Sequence, residues 1–465
     1  MKTIPPKLFV VVTHKIKHTF QNKKRSVVIP VLVLIVLLGT FLRVYNIDSK
    51  ELWYDEAFTA NIIDQPYQEI FTLSKADFHP PLYYMVLKSW VGVWGDTEVS
   101  LRFPSVIFGV LTIAVAFYLA QFITKDNKKA LWVALFIATN PFLIVYSKEA
   151  RSYSLMAFLI VLTALVFFKA LQDRKYLQLS LLLPILFLTH YMTIFGIVFY
   201  SVWTFYRDKK FALYLIPLLV IIMIWIPIIR NNTNTQGLQW ISELSWSRIP
   251  ESVHAFVLGV SSSSTGSILP VNPFPIPTNI ISYSILAGII VLIFLVKNVS
   301  RKVTLLALCG LIPIILIIGM DIVFDKQAYL ERYLIGYASL LIICVVIIQK
   351  RVIILLPYVL LCIYLVITFM PSNFGYREFA NHIADKPVVI ADATVYINAK
   401  YYTKDIKLQP GDWKEWAIIT DEDIYNPSNP RDDYYLVSVE KIEGWQSAYT
   451  VGRFNFYEYD GSNQK

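Results

Sequence analysis

Two neighbouring carboxylates, Asp55 and Glu56, stand in the stretch Leu52-Trp53-Tyr54-Asp55-Glu56-Ala57-Phe58, shortly after the first long apolar run of the chain. Charge this close to a bilayer is costly unless it is paired or used. A carboxylate pair offers a general base, because a second acid beside the first and partial burial both raise its affinity for a proton. The same residues also read as a helix start, with Asp55 as N-cap and Glu56 in the first turn of a helix over 57–64.

Basic and imidazole groups recur near the ends of other apolar runs: His79 in Phe78-His79-Pro80-Pro81, Arg102 in Leu101-Arg102-Phe103-Pro104-Ser105, Arg151 in Glu149-Ala150-Arg151-Ser152-Tyr153, and Arg332 in Glu331-Arg332-Tyr333. Singly, each arginine reads as a snorkelling side chain, and His79 as an interfacial histidine. Together, facing an acidic loop, they suit a phosphate, whose oxygens match the guanidinium fork. A phosphate at a membrane surface suggests a lipid phosphate. His190-Tyr191 interrupts an apolar stretch and reads as a tight turn between spans. Cys309, Cys344 and Cys362 fall inside apolar runs and show neither metal-ligand spacing nor a disulfide framework.

These residues need a scaffold, and composition indicates which. Hydrophobic residues make up 56% of the chain and charged residues only 16%. This marks a polytopic helical membrane protein. The net charge of +9 sits in the N-terminal tail and in short loops. It follows the positive-inside rule and gives no reason to expect a nucleic-acid partner. Residues 1–26 form a basic cytoplasmic tail, and the run after it reads as an uncleaved first span. If the short aromatic run 82–94 lies at the interface, every basic loop falls on the cytoplasmic side. The expectation is then about eleven spans over 27–370, N-terminus inside and C-terminus outside. The outer face would carry the first loop, 46–99, and a long loop, 230–278. Residues 371–465 are more polar, with short apolar runs at Val388-Val389-Ile390, Tyr435-Leu436-Val437 and Phe454–Phe456. They predict a small extracytoplasmic α/β domain.

Four motifs, Leu52–Phe58, His79-Pro80-Pro81-Leu82-Tyr83-Tyr84, Leu101–Ser105 and Glu149-Ala150-Arg151-Ser152-Tyr153-Ser154, taken in this order, resemble the GT-C membrane glycosyltransferases. The likeness is to the family-39-like bacterial relatives of protein mannosyltransferases and aminoarabinose transferases, and it spans 27–370. It implies a sugar moved from a polyprenyl-phosphate donor on the outer membrane face, with inversion, and Asp55 as the base. It also implies interfacial helices in the first outer loop and a shared membrane module ending near residue 229. Some relatives have an acidic-Lys-Pro sequence where this chain has Phe78-His79-Pro80, which leaves a metal ligand there unsupported.

The expected enzyme is therefore an all-α GT-C bundle with an outer α/β tail. Asp55 takes the acceptor proton, and Glu56 tunes Asp55 or holds the acceptor. His79, Arg102, Arg151 and Arg332 bind the donor phosphate. Tyr54, Tyr83, Tyr153, His190, Tyr191 and Tyr333 line the substrate site. No cofactor is expected; a divalent metal stays open, without ligand spacing to support it. The partners are the lipid-phosphate sugar, membrane lipid and an acceptor that is a protein, a lipid or a glycan. The rival reading is a polytopic transporter of a lipid-linked or sugar substrate. Transporters place their charges near the midplane in matching halves, whereas here the charges gather at one face.

Overall fold

The computed structural model describes residues 27–76, 79–230, 244–259, 299–324, 329–368, 374–381, 388–403, 406–409, 434–439, 449–451 and 453–459, with a few single positions between them. Helix α1 (Val27–Val44) is followed in the first loop by α2 (Tyr54–Asp64), α3 (Tyr67–Ala76) and α4 (Leu82–Trp94). Next come α5 (Glu98–Thr124), α6 (Asn127–Thr139), α7 (Pro141–Ser147), α8 (Tyr153–Asp173), α9 (Leu177–Phe187), α10 (Ile194–Arg207), α11 (Ile216–Arg230) and α12 (Arg248–Leu258). The bundle ends with α13 (Arg301–Phe324), α14 (Ile335–Ile348) and α15 (Leu356–Thr368). Short 3-10 turns lead into α10 (Tyr191–Thr193) and α14 (Glu331–Leu334).

Six helical stretches among the described residues are long and apolar enough to cross a bilayer, and the pair α6–α7, bent by 55°, would make a seventh. The chain is a multi-pass membrane protein. Eleven spans are not reached on that criterion. Helices α9 and α15 are apolar but short, α10 has 14 residues, and the run 279–296 lies largely outside the described residues. Helix α4 has 13 residues; at about 1.5 Å each it falls well short of a hydrocarbon core.

Helix α5 packs on α6 and α8, and α14 on α6, α8 and α13. Both α5 and α6 carry rows of small residues, which let backbones approach closely. Ala116 and Ala120 on α5 and Ala130, Ala134 and Ala138 on α6 recur every fourth position and are fully buried.

The apolar run 130–146 is broken at Asn140-Pro141. Proline removes a backbone donor and disfavours helical geometry in the residue before it. Asn140 then caps the second piece, its Oδ1 accepting from Leu143 N at 3.0 Å. Arg43, at the end of α1 and fully buried, completes the break. It donates to the carbonyls of Ile137 (3.1 Å), Ala138 (2.9 Å) and Gly39 (3.0 Å), and to Ser147 Oγ at 3.2 Å. A β-carbon at Gly109 would sit 2.8 Å from the Arg43 Nε and 2.2 Å from Ser147 Oγ, so glycine makes room for this contact.

The tail carries helices α16 (Tyr376–Asn381) and α17 (Ala393–Tyr402) and strands β1 (Val388–Ile390), β2 (Ile406–Leu408), β3 (Tyr434–Ser438), β4 (Tyr449–Val451) and β5 (Phe454–Tyr459). The sheet order is β2-β1-β3-β5-β4. β1 pairs in parallel with β2 and β3, and β5 runs antiparallel to β3 and β4. The β1–α17–β2 unit supplies the crossover that a parallel pair requires. The three apolar triplets read from the sequence are β1 and parts of β3 and β5.

Candidate active site

Helix α2 starts at Tyr54, with Trp53 as its N-cap. Asp55 is therefore not the cap, which corrects the helix start expected from the sequence. Both carboxylates lie in the first turn, where unpaired amides favour negative charge. Successive side chains on a helix diverge by about 100°, and the two acids separate completely. Glu56 turns inward and is 1% exposed. Its Oε1 and Oε2 each lie 2.8 Å from an Arg102 nitrogen, and Oε1 also accepts from Ala150 N at 2.9 Å. Burial works against its charge. The Arg102 guanidinium and the Ala150 amide outweigh that and hold the carboxyl below the usual range. Asp55 stays 17% exposed, its Oδ2 3.6 Å from Arg332 Nη1 and 4.0 Å from Arg151 Nε.

Arg102 has no N–H left for a ligand. Besides Glu56, it donates to the carbonyls of Ile47 (2.7 Å), Lys50 (2.8 Å) and Glu51 (3.2 Å). The expected phosphate role of Arg102 is corrected on this ground: all five guanidinium donors are consumed, three on the loop that leads into α2 and two on Glu56. Glu56 is sealed against Arg102, a placement that fits the tuning of Asp55 better than contact with an acceptor.

Arg151 lies in the tight turn between α7 and α8. Its Nη1 donates to Thr59 Oγ1 (2.9 Å), the Asp55 carbonyl (3.3 Å) and Tyr84 Oη (3.5 Å). Its Nη2 lies 3.3 and 3.4 Å from the two His79 ring nitrogens; a neutral imidazole offers one of them as acceptor. The Arg332 guanidinium sits 5.5, 5.8 and 5.9 Å from the ring centres of Trp53, Tyr153 and Tyr333, within cation–π range. The rings of His79 and His190 are 5.0 Å apart, and those of His190 and Tyr333 4.7 Å. His190 is buried and caps the turn before α10, accepting from Met192 N at 3.2 Å. The structure thus gathers Asp55, His79, Arg151, Tyr153, His190, Arg332 and Tyr333 in one place.

Three other expected substrate contacts have further neighbours of their own. Tyr83 is buried, and its hydroxyl bonds Ser105 Oγ, which donates to the Arg151 carbonyl. It therefore supports Arg151 from behind. Tyr191 accepts from Trp225 Nε1 at 3.0 Å, tying it to α11. Tyr54 packs against Phe58.

Glu149 was quoted in the sequence motif but given no role. It is buried, and neither carboxylate oxygen has a hydrogen-bond partner among the described residues. Burial pushes its carboxyl up to about 8, with Glu56 and Asp55 adding to the rise and Lys50 and Arg332 opposing it. The signal was a third acid two residues before Arg151. A carboxyl that binds its proton more tightly when folded makes the fold less stable as pH rises from the unfolded value through the folded one. Relative to Glu149→Gln, the wild-type unfolding midpoint in detergent is expected to fall between pH 5 and about 8 and then level off. A difference that does not change with pH would mean that Glu149 is ionised throughout.

Among the described residues no group of three or more His, Cys, Asp or Glu side chains could hold a metal ion. What the cluster offers is two guanidiniums and two imidazoles around one partly open carboxylate, an arrangement suited to an anionic substrate that reacts beside a proton acceptor.

The family model for dolichyl-phosphate-mannose-protein mannosyltransferase matches residues 78–229. That stretch includes His79, Arg102, Arg151, Tyr153 and His190, and with them three of the four motifs that carry the GT-C resemblance; Leu52–Phe58 lies outside it. No curated protein matches the chain. Among solved structures, ArnT from Cupriavidus metallidurans bound to undecaprenyl phosphate is 12% identical, with 92% of this chain and 97% of that chain covered and a TM-score of 0.48. The apo form of that protein gives the same identity and coverage and a TM-score of 0.47. The apo Archaeoglobus fulgidus oligosaccharyltransferase is also 12% identical, over 83% of this chain and 64% of that one, with a TM-score of 0.45.

Proposed function

We propose that the chain is an inverting GT-C glycosyltransferase, taking its sugar from a polyprenyl-phosphate donor and passing it to an acceptor at the outer membrane face. One observation carries the reading: Asp55 keeps an open carboxylate beside Arg151 and Arg332, while its neighbour Glu56 is sealed away. The family match over residues 78–229 supports the same class.

In this reading the acceptor hydroxyl gives its proton to Asp55 as its oxygen attacks the anomeric carbon. The bond from that carbon to the phosphate oxygen breaks, and the lipid phosphate leaves as an anion. No general acid is needed for so good a leaving group. Arg151, His79 and Arg332 stabilise the charge as it grows. The rings of Tyr153, His190 and Tyr333 line the space beside them.

The test is incubation of the purified protein with labelled polyprenyl-phosphate sugar, following transfer and slow hydrolysis. Arg151→Lys keeps the charge but loses the fork. It is expected to slow single-turnover release of sugar about tenfold or more, with donor Kd little changed. Arg151→Ala should raise Kd as well, because the charge itself is gone. Equal rates and affinities in all three proteins would leave Arg151 as a membrane anchor.

A further inference from the structure

The loop before Asp55 is gripped from two sides. Arg102 takes its carbonyls from the bundle side. From the other side come residues of the tail, distant in sequence. The Glu51 carboxylate accepts four successive backbone amides: Phe374 (2.8 Å), Gly375 (2.7 Å) and Tyr376 (3.1 Å) on Oε2, and Arg377 (2.9 Å) on Oε1. Arg377 in turn pairs with Glu98, in the first turn of α5, and donates to the Asp48 carbonyl at 2.8 Å. The Tyr402 hydroxyl accepts from Leu52 N at 2.7 Å and donates to Glu98 Oε1 at 2.6 Å. Helix α17 packs along α2, and Asn61 Nδ2 donates to the Ile397 carbonyl at 3.0 Å.

These contacts converge on the two elements that set Asp55. One is the segment 48–52, three residues upstream of it. The other is the start of α5, one turn before Arg102. Glu51 is only 2% exposed. A buried carboxylate with four charge-assisted acceptor bonds is a firm anchor, and its removal would leave four amides without their acceptor.

We infer that the tail is a clamp on the reacting loop, with Glu51 and Tyr402 as positioning residues that fix Asp55 in place without touching substrate. The inference rests on the reading of Asp55 as the proton acceptor. It gives the tail a defined task in the reaction, namely to hold the carboxylate at attack distance. Displacement of a reacting group by about 1 Å is enough to cost up to a hundredfold in rate.

The experiment uses the full chain in detergent or nanodiscs and two variants, Glu51→Gln and Tyr402→Phe. Glutamine keeps one acceptor oxygen and loses the charge. Phenylalanine keeps the ring, which stacks on Tyr376, and removes only the hydroxyl. Backbone hydrogen exchange is followed over residues 48–64, over α16 and over the bundle helices. Single-turnover transfer and donor Kd are measured on the same samples. Expected are faster exchange confined to 48–64 and the tail contacts, a rate lowered about tenfold, and donor Kd unchanged. Wild-type exchange over 48–64 in both variants overturns the clamp, whatever the activity. So does a parallel rise in exchange throughout the bundle, which would make these residues general stabilisers. If wild type transfers no sugar, the functional reading fails separately, and the exchange data still decide whether the tail holds the loop.

Discussion

Asp55→Asn is expected to lower single-turnover sugar transfer by about a hundredfold or more, the usual scale for a lost general base, while the protein stays folded. Asparagine matches aspartate in size but cannot take the acceptor proton. Its amide can remain near Arg332 and Arg151, whose distances to Asp55 of 3.6 and 4.0 Å already describe loose rather than bidentate pairing. The helix cap does not depend on this side chain, since Trp53 holds that position. Donor Kd should change little, and the unfolding midpoint should stay at the wild-type value or rise. Near-normal turnover in this variant would reduce Asp55 to a counter-charge for the two arginines.

The neighbouring substitution should behave in the opposite way. Glu56→Gln leaves the Arg102 guanidinium buried without its charged partner. Breaking such a pair from one side costs about 3–5 kcal/mol, a large share of the stability of an ordinary domain. The expected result is a much lower thermal midpoint and a poor yield of monodisperse protein, with Arg102→Ala as severe. Loss of activity would follow from loss of the loop. A Glu56→Gln protein with a wild-type midpoint would show that the Arg102 contacts to the loop carbonyls suffice alone. The contrast between two adjacent acids is the useful part: one variant is silent in stability and dead in transfer, the other unstable first.

The sequence anticipated the convergence of Asp55, His79, Arg151 and Arg332, because several basic groups at the ends of separate apolar runs facing one acidic loop are harder to read as separate snorkelling side chains. It could not assign roles within that set. Placing the helix start at Asp55 hid the inward turn of Glu56, and by residue type and position Arg102 is indistinguishable from a phosphate ligand, although its five donors are all taken. The partition depends on helix phase and on backbone carbonyls, neither of which leaves a residue-type signature. The strands of the tail were legible as short apolar runs in a more polar stretch. Its grip on the first loop was not, because Glu51 binds backbone amides and any sequence at 374–377 other than proline would supply them. The bend at Asn140-Pro141 was hidden by an apolar run that reads as continuous.

That bend has a consequence for how the protein is made. Arg43 ends α1, and its partners Ile137, Ala138 and Ser147 lie about a hundred residues later. A guanidinium settles in hydrocarbon only when its donors are met. During synthesis the carbonyls that meet this charge are therefore absent when α1 forms, and headgroups or water must meet it instead. The guanidinium gains its own partners when the broken helix arrives and presents the carbonyls that Pro141 has freed from helical bonding. The kink acts as a latch that closes late, and the loop carrying Asp55, which follows α1 directly, takes up its working position only after the latch has closed.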